Sequence, residues 1–473
     1  MQNKVYDFLI LGAGVIGSSI FNDLARCGHS VVLVDKASDV ATGSSKANSG
    51  LVHAGFDPKP NSLKAILNVQ GNKMYPAICK RLGVPLKKTG AIVVGTHKTI
   101  MQSLMKNGKE NGVEKLHILE REQIKTLVPN IADTIKYGLY AEDAYIISPY
   151  LYTICLAEEA VLNGGDLFLE YNMKKCEYKN GLYYISDGNN VLTAKVIINA
   201  TGNEFNNVSK IIGGETYPIV FKRGEYYVLD STEKDLTNIT VFPEPTKESK
   251  GVLVTPTIDG NILVGPTSIV GDDSKRTTKE GLEEIKQKSL ITMKNINFKK
   301  TIRIFSGVRC IVNDDFVIEK SKNKPNLINI VGICSPGLSA APAISRYVLN
   351  LLGLNYKIVR NEKIKPYVLL KDLSIAKRNQ IIKSNPRYGK IVCKCEEISE
   401  GEIIDALQRP IRIRSIDAIK RRVRAGMGRC QGGFCADRVA ELISEVDNLP
   451  IEKVLKENIG SYFVYGNIRE GKK

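Results

Sequence analysis

Residues 6–11 form an apolar run that breaks at glycine, resumes as an amphipathic pattern closing at Gly28, and is followed by a second apolar run, Val31–Val34. This order predicts a strand, a glycine turn over residues 12–17, a helix and a buried strand, which make one βαβ unit. Apolar runs at 196–199 and Leu327–Val331 lie far downstream, so distant segments are expected to complete the sheet. Residues 251–266, GVLVTPTIDGNILVGP, read as two β-rich runs around Asp259-Gly260, a hairpin signal within an antiparallel sheet. Residues 361–387 are Lys-rich, lack periodicity and are broken by Pro366 and Pro386, which predicts a linker. Two short helical patterns follow, 399–408 opened by a capping box from Ser399 and Glu402, and 415–425 closed by Gly426. The expected architecture is α/β. A discontinuous Rossmann-like domain (about 1–80, 145–215 and 300–360) and an antiparallel-sheet substrate domain (about 81–144 and 216–299) precede a small helical domain over 388–446 and a tail over 447–473.

With 473 residues and 43% hydrophobic content the chain exceeds what one core supports, in keeping with several domains. Its first residues lack the features of a signal peptide, and no apolar run approaches the roughly 18–20 residues that cross a bilayer, so a cytoplasmic protein with at most peripheral membrane contact is expected. Ten cysteines in so large a chain do not suggest a disulfide scaffold. Cys27, Cys79, Cys155, Cys176, Cys310 and Cys334 are scattered among apolar residues and read as core thiols. The other four form two tight pairs. A net charge of +17 fits nucleic acid, an anionic surface, an acidic partner or anionic substrates, and selects none of them.

Gly12, Gly14 and Gly17 form GxGxxG between the first strand and helix, and Asp35 closes the second strand 18 residues after Gly17. Such a turn lets a pyrophosphate approach the backbone N–H groups that open the helix, alongside Val15 and Ile16, while Asp35, next to Lys36, accepts from ribose hydroxyls. The residues alone do not choose between FAD and NAD. The next stretch, TGSSKANSGLVHAGFDPKPNSLKAILNVQGNKMY, is followed in order by NATG, RGEYYVL, the hairpin TPTIDGNILVGPT, FSGVR and GICSPGLSAAPAI. These blocks resemble the D-amino-acid oxidase (glycine oxidase) superfamily of FAD-dependent oxidoreductases, especially its glycerol-3-phosphate and 2-hydroxyacid branch. The resemblance implies FAD contacts from Thr42, Ser45, Asn48, Ser49, Gly50, Leu51, Thr201, Gly202, Gly337, Leu338 and Ser339. No second GxGxxG is present, so a separate NAD site is not expected.

Oxidation of a secondary alcohol needs a base for the hydroxyl proton and cations for an anionic group. His53 lies inside the flavin-like segment and is the candidate base, whereas His29, His97 and His117 sit in turn or surface contexts. The resemblance assigns Arg309, in FSGVRC, to the substrate anion. It places Arg223 and Tyr226, in RGEYY, near the active-site entry, with Lys222 just before them as a rival cation.

Cys393-x-Cys395 and Cys430-x4-Cys435, separated by 34 residues, can converge on a soft-metal centre, and their spacing alone leaves zinc and iron–sulfur both open. The surrounding stretches resemble the bacterioferritin-associated-ferredoxin-like 2Fe–2S domain, which implies a 2Fe–2S cluster on these four thiolates. Residues 409–429 hold eight Lys or Arg against one acidic residue, expected to stabilise an anionic cluster or dock an acidic partner. A DNA-binding reading is set aside, because Ile416, Ile419 and Val423 turn inward on the same helix. The resemblance therefore implies FAD-dependent oxidation of sn-glycerol 3-phosphate to dihydroxyacetone phosphate, with electrons leaving through the cluster to a partner subunit or quinone. The alternatives are oxidation of L-2-hydroxyglutarate or another 2-hydroxyacid, an imino-acid or opine oxidase subunit, and an electron-transfer subunit without a small substrate.

Overall fold

The computed structural model describes residues 4–245 and 251–466. Strand Val5–Leu11 runs parallel to Val31–Val34 on one side and to Val191–Asn199 on the other, and Leu327–Val331 and Asp166–Phe168 extend the parallel set outward. The four residues of Val31–Val34 are all buried, as expected of a parallel strand covered on both faces. The hairpin of Lys175–Lys179 and Leu182–Ser186 adds an antiparallel edge. Helices Val15–Arg26, Pro149–Leu162 and Gly337–Leu351 cover one face. Helix Leu63–Leu82 crosses Gly337–Leu351 so closely that a Cβ on Gly71 would lie 2.1 Å from the Ser339 carbonyl oxygen. The discontinuity expected from the spacing of the apolar runs is what the strand register shows.

A second sheet, of nine strands among the described residues, carries most of the rest, with a three-stranded and a two-stranded sheet beside it. Its predicted hairpin forms from Leu253–Pro256 and Ile262–Gly265, turning at Asp259 and Gly260, the latter at φ +87°. The long strand Thr301–Ile311 was expected in the dinucleotide domain. Instead it pairs antiparallel with Val220–Leu229 along its length and so belongs to the substrate sheet. The apolar pattern gave no means of telling which sheet would take it, because the decisive partner lies 80 residues upstream.

The C-terminal part is more firmly attached than a linker and tail imply. Residues 361–387 hold a helix, Ile375–Ser384. Helix Glu400–Leu407 starts with the expected capping box, in which the Ser399 Oγ and the Glu402 carboxylate each take the other's backbone N–H. Helices Ile416–Val423 and Ala436–Asp447 complete the small domain, and their apolar faces join the same continuous core as the helices on the dinucleotide sheet.

The basic segment between Arg409 and Arg429 corrects the sequence expectation. All eight cations make ion pairs within the chain, and six of them reach the other two domains. Arg409 pairs with Glu158 at 2.6 Å, Arg414 with Glu170, Arg424 with Asp259 at 2.6 Å and Arg429 with Asp230 at 2.9 Å. Arg421 and Arg422 both close on Asp39 at 2.8 Å. Their acidic partners are scattered over some 220 residues, so composition alone gave no sign that these cations are paired within the chain and made them read as available to a cluster or a partner.

Candidate functional site: a dinucleotide cavity beside a four-cysteine centre

One large cavity, about 1530 Å³, runs from the glycine turn to the second sheet. Typical small-molecule pockets hold about 300–1,000 Å³, so this one has room for a dinucleotide together with a small substrate. At one end Gly12, Gly14, Val15, Ile16, Asp35 and Lys36 line it. Gly12 adopts φ +100°, where a Cβ would come within 2.7 Å of the Ala200 carbonyl oxygen. Gly17 is off the cavity and is required for packing, since a Cβ there would lie 1.9 Å from the Gly12 carbonyl oxygen. The Asp35 carboxylate accepts from the N–H of Ala13 at 2.7 Å and of Ala37 at 2.9 Å, which fixes the turn. Burial raises its pKa and those two N–H groups pull it back. Each carboxylate oxygen retains a lone pair for a ribose hydroxyl.

Further along, Thr42, Ser45, Asn48, Ser49, Leu51, Thr201, Gly202, Gly337 and Leu338 line the walls. A Cβ on Gly202 would meet nothing within 4 Å, so the wall opens there to a ligand. The Ser45 Oγ accepts from the N–H of Val15 at 2.9 Å, and the helix Gly337–Leu351 aims its N-terminus at the opposite wall. Gly50 and Ser339 stand one layer back. Ser339 is fully buried, and its Oγ accepts from the N–H of His53 at 2.8 Å.

His53 lines the cavity, its backbone held by Ser339, Asn68 and Asn72, and its ring centroid 6.0 Å from that of Phe242. Tyr226 and Arg309 line it as well. Burial pushes the Tyr226 hydroxyl above its ordinary pKa, against the pull of the Arg309 guanidinium. Tyr226 stacks on Phe305 with centroids 4.8 Å apart, and Arg309 Nη2 donates to the Thr267 carbonyl at 3.2 Å.

Arg223 is the exception among the four candidates. It points to the other face of the sheet, 2% exposed, and pairs with Glu225 at 2.9 Å and Asp272 at 2.7 Å. Side chains alternate along a strand, so Arg223 and Tyr226, three residues apart, face opposite ways. Lys222, Gly224 and Tyr226 are the ones on the cavity. Lys222 stands directly opposite Arg309 in the antiparallel register. Cys334, expected as a core thiol, also lines the cavity.

The four clustered cysteines arrange themselves as two pairs. Cys393 and Cys435, 1% and 2% exposed, interact side chain to side chain, which brings the Cys393 thiol down to about 6. Cys395 and Cys430 form the second pair nearer the surface. Burial alone would raise the Cys430 pKa, but the N–H groups of Gly432, Phe434 and Gly433 and the Cys395 side chain hold it below the ordinary value. Among the described residues no three His, Cys, Asp or Glu side chains converge on a single ion position. Four thiols gathered as two pairs would suit a soft-metal or iron–sulfur centre.

Residues 7–351 match the family model described as FAD dependent oxidoreductase, and residues 391–445 match the BFD-like [2Fe-2S] binding domain. The chain is 40% identical over 98% of its length to a glycerol 3-phosphate dehydrogenase of Caloramator mitchellensis, itself covered to 98%. It is 32% identical over 75% of its length to a glycerol 3-phosphate oxidase of Mycoplasma genitalium, covered to 96%. Among solved structures, dithionite-reduced L-alpha-glycerophosphate oxidase from Mycoplasma pneumoniae with FAD bound superposes with TM-score 0.73 at 30% identity, covering 77% of this chain and all of that one.

Proposed function

Because the chain belongs to the FAD-dependent oxidoreductase family and carries a BFD-like 2Fe–2S domain, we propose that it oxidises sn-glycerol 3-phosphate to dihydroxyacetone phosphate. The observation that carries this reading is the pair Lys222 and Arg309. They stand directly opposite each other on adjacent strands and line one cavity wall. Like charges directly opposite across a sheet are destabilising, so this pairing makes sense when an anion sits between them. A phosphate dianion neutralises both, and the planar guanidinium can grip two of its oxygens.

With the phosphate held at this wall, the carbon chain extends towards His53. A ring nitrogen of His53 takes the proton of the secondary hydroxyl as the C–H bond breaks. Tyr226, held by its stacking on Phe305, orients the substrate beside Arg309. FAD, when bound, supplies the hydride acceptor, and the 2Fe–2S cluster supplies one-electron transfer outward. Cys393, Cys395, Cys430 and Cys435 hold that cluster. The electrons pass on to a partner subunit or quinone. Among the described residues no helix is long and apolar enough to cross a membrane.

Anaerobic titration with sn-glycerol 3-phosphate, L-2-hydroxyglutarate and an imino acid in separate cuvettes tests the assignment. Bleaching of the flavin by glycerol 3-phosphate at the lowest concentration is expected. Bleaching by L-2-hydroxyglutarate alone would overturn it.

A further inference from the structure

Residues 446–466 lie beyond both matched family regions, and they return to the dinucleotide site. Val454 and Leu455 are buried in the core. The Leu455 N–H donates to Arg414 O and its carbonyl accepts from the N–H of Ile416, both at 3.0 Å, so the segment is stitched to the start of helix Ile416–Val423. The chain then reverses, with Phe463 N–H donating to Val454 O at 3.0 Å and Ser461 Oγ accepting from the N–H groups of Glu457 and Asn458 at 3.0 Å.

The tip of this turn, Asn458 and Ile459, forms part of the cavity wall. The Ser38 Oγ donates to the Glu457 carbonyl, and the Ser38 N–H donates to Asn458 Oδ1 at 3.4 Å. Ser38 is three residues past Asp35, which places the tip at the ribose end of the cavity. The Glu457 carboxylate pairs with Lys46, a cavity residue, and with Arg421 at 3.2 Å. Arg421 in turn pairs with Asp39 at 2.8 Å. Ile459 itself is 60% exposed, a large apolar side chain at the rim of a cavity built for a dinucleotide.

We propose that the turn at residues 457–459 is part of the FAD site and closes over the adenosine half of the cofactor. The apolar side chain of Ile459 covers the adenine or its ribose, and the Glu457–Lys46 pair fixes the flanking loop. Because the turn hangs on helix Ile416–Val423 of the cysteine domain, docking of the 2Fe–2S domain and retention of FAD are thermodynamically linked, and each strengthens the other. This holds whichever substrate the enzyme oxidises.

Hydrogen exchange on the full chain, deflavinated and then reloaded with FAD, tests the closure directly. Amides of residues 455–463 are expected to gain at least about tenfold protection on FAD binding, and unchanged exchange there would overturn the proposal. Ile459→Ala and Asn458→Ala, confirmed as folded by far-UV circular dichroism, give a second readout in the FAD dissociation constant followed by flavin fluorescence. Ile459→Ala is expected to weaken FAD about tenfold, which corresponds to about 1.4 kcal/mol, and Arg421→Gln is expected to weaken it in the same direction. If both tip variants hold FAD within about twofold of the unmodified chain, the turn has no part in the site.

Discussion

Replacing Asp39 by Asn tests how the cysteine domain is held. Asp39 is fully buried and accepts from Arg422 at 2.8 and 2.9 Å and from Arg421 at 2.8 Å. Burial by itself would raise its pKa, but the two guanidinium groups outweigh that and hold it to about 2, against an ordinary 3.8. At about 1.36 kcal/mol per pH unit, this depression amounts to roughly 2–3 kcal/mol of stability at neutral pH. The sign is that of a carboxylate stabilised in the folded state. The contribution is complete above pH 3.8 and is lost as the pH falls towards 2. Asparagine removes the charge and leaves two buried guanidinium groups under-neutralised, and breaking a buried pair costs about 3–5 kcal/mol, so the two routes agree on scale. Melting of the cluster, followed anaerobically by visible circular dichroism, should fall by about 4–12 °C. Arg412→Ala is the control, because its partner is Asp447 and Arg412 is 78% exposed, where a pair contributes at most about 1 kcal/mol. If Asp39→Asn costs no more than Arg412→Ala, the cysteine domain is not held by these buried arginines.

Lys222→Met removes one charge-assisted contact to the substrate anion, worth about 1.5–3 kcal/mol, and should lower kcat/KM for glycerol 3-phosphate about 10- to 150-fold. The same change relieves the repulsion with Arg309, so the melting temperature of the substrate-free protein should hold or rise slightly, which calorimetry reads. Arg223→Met should do the reverse. It strands the buried Glu225 carboxylate at a cost of about 3–5 kcal/mol while the KM of the folded fraction stays unchanged in steady-state assays. Cys430→Ser should abolish the electron paramagnetic resonance signal of the reduced cluster yet leave substrate bleaching of the flavin intact. Anaerobically purified protein should contain iron and acid-labile sulfide in equal amounts, and zinc in their place would refute the iron–sulfur assignment of the cysteines.

The dinucleotide end was readable because its determinants are local. Gly12, Gly14, Gly17 and Asp35 fall within one βαβ unit, and the close approach that requires Gly17 lies inside it, although the Ala200 carbonyl that crowds Gly12 comes from a distant strand. The substrate end was readable only in part. Alternation along Val220–Leu229 is a sequence-level signal, and it separates Tyr226 from Arg223 and groups it with Lys222, yet the facing of Lys222 on Arg309 depends on pairing across 87 residues. Ser339 illustrates a different limit. Its place in the family-like block suggested direct cofactor contact, whereas close helix packing at Gly71 draws it back to hold the His53 backbone. Least legible were the basic segment and the residues after 446. Their partners, Asp39, Glu158, Asp230 and Asp259, carry no local mark that distinguishes them from solvated acids.

Those scattered acids fasten the cysteine domain to the other two domains. A one-electron relay works only if the distance between donor and acceptor is short and constant. The clamp meets that need by contacting both other domains, Asp39 and Glu158 on the dinucleotide side, Asp230 and Asp259 on the substrate side. Each attachment uses an arginine, whose planar fork keeps its geometry when buried, in preference to a flexible lysine. Between the clamps, Tyr150 donates from its hydroxyl to the Met427 sulfur at 3.6 Å. The adjacent Pro149 opens the helix packed beneath Gly50, where a Cβ would meet Pro149 Cδ at 3.4 Å. Met427, in the loop beside the cysteines, thus contacts the first turn of helix Pro149–Leu162, which packs against the cavity-lining residues 44–46. The buried pair Cys393 and Cys435 lies inward and the pair Cys395 and Cys430 outward. Of the two pairs, Cys395 and Cys430 are therefore the ones within reach of solvent, with the 90% exposed Phe434 close by and its N–H directed at the Cys430 thiol.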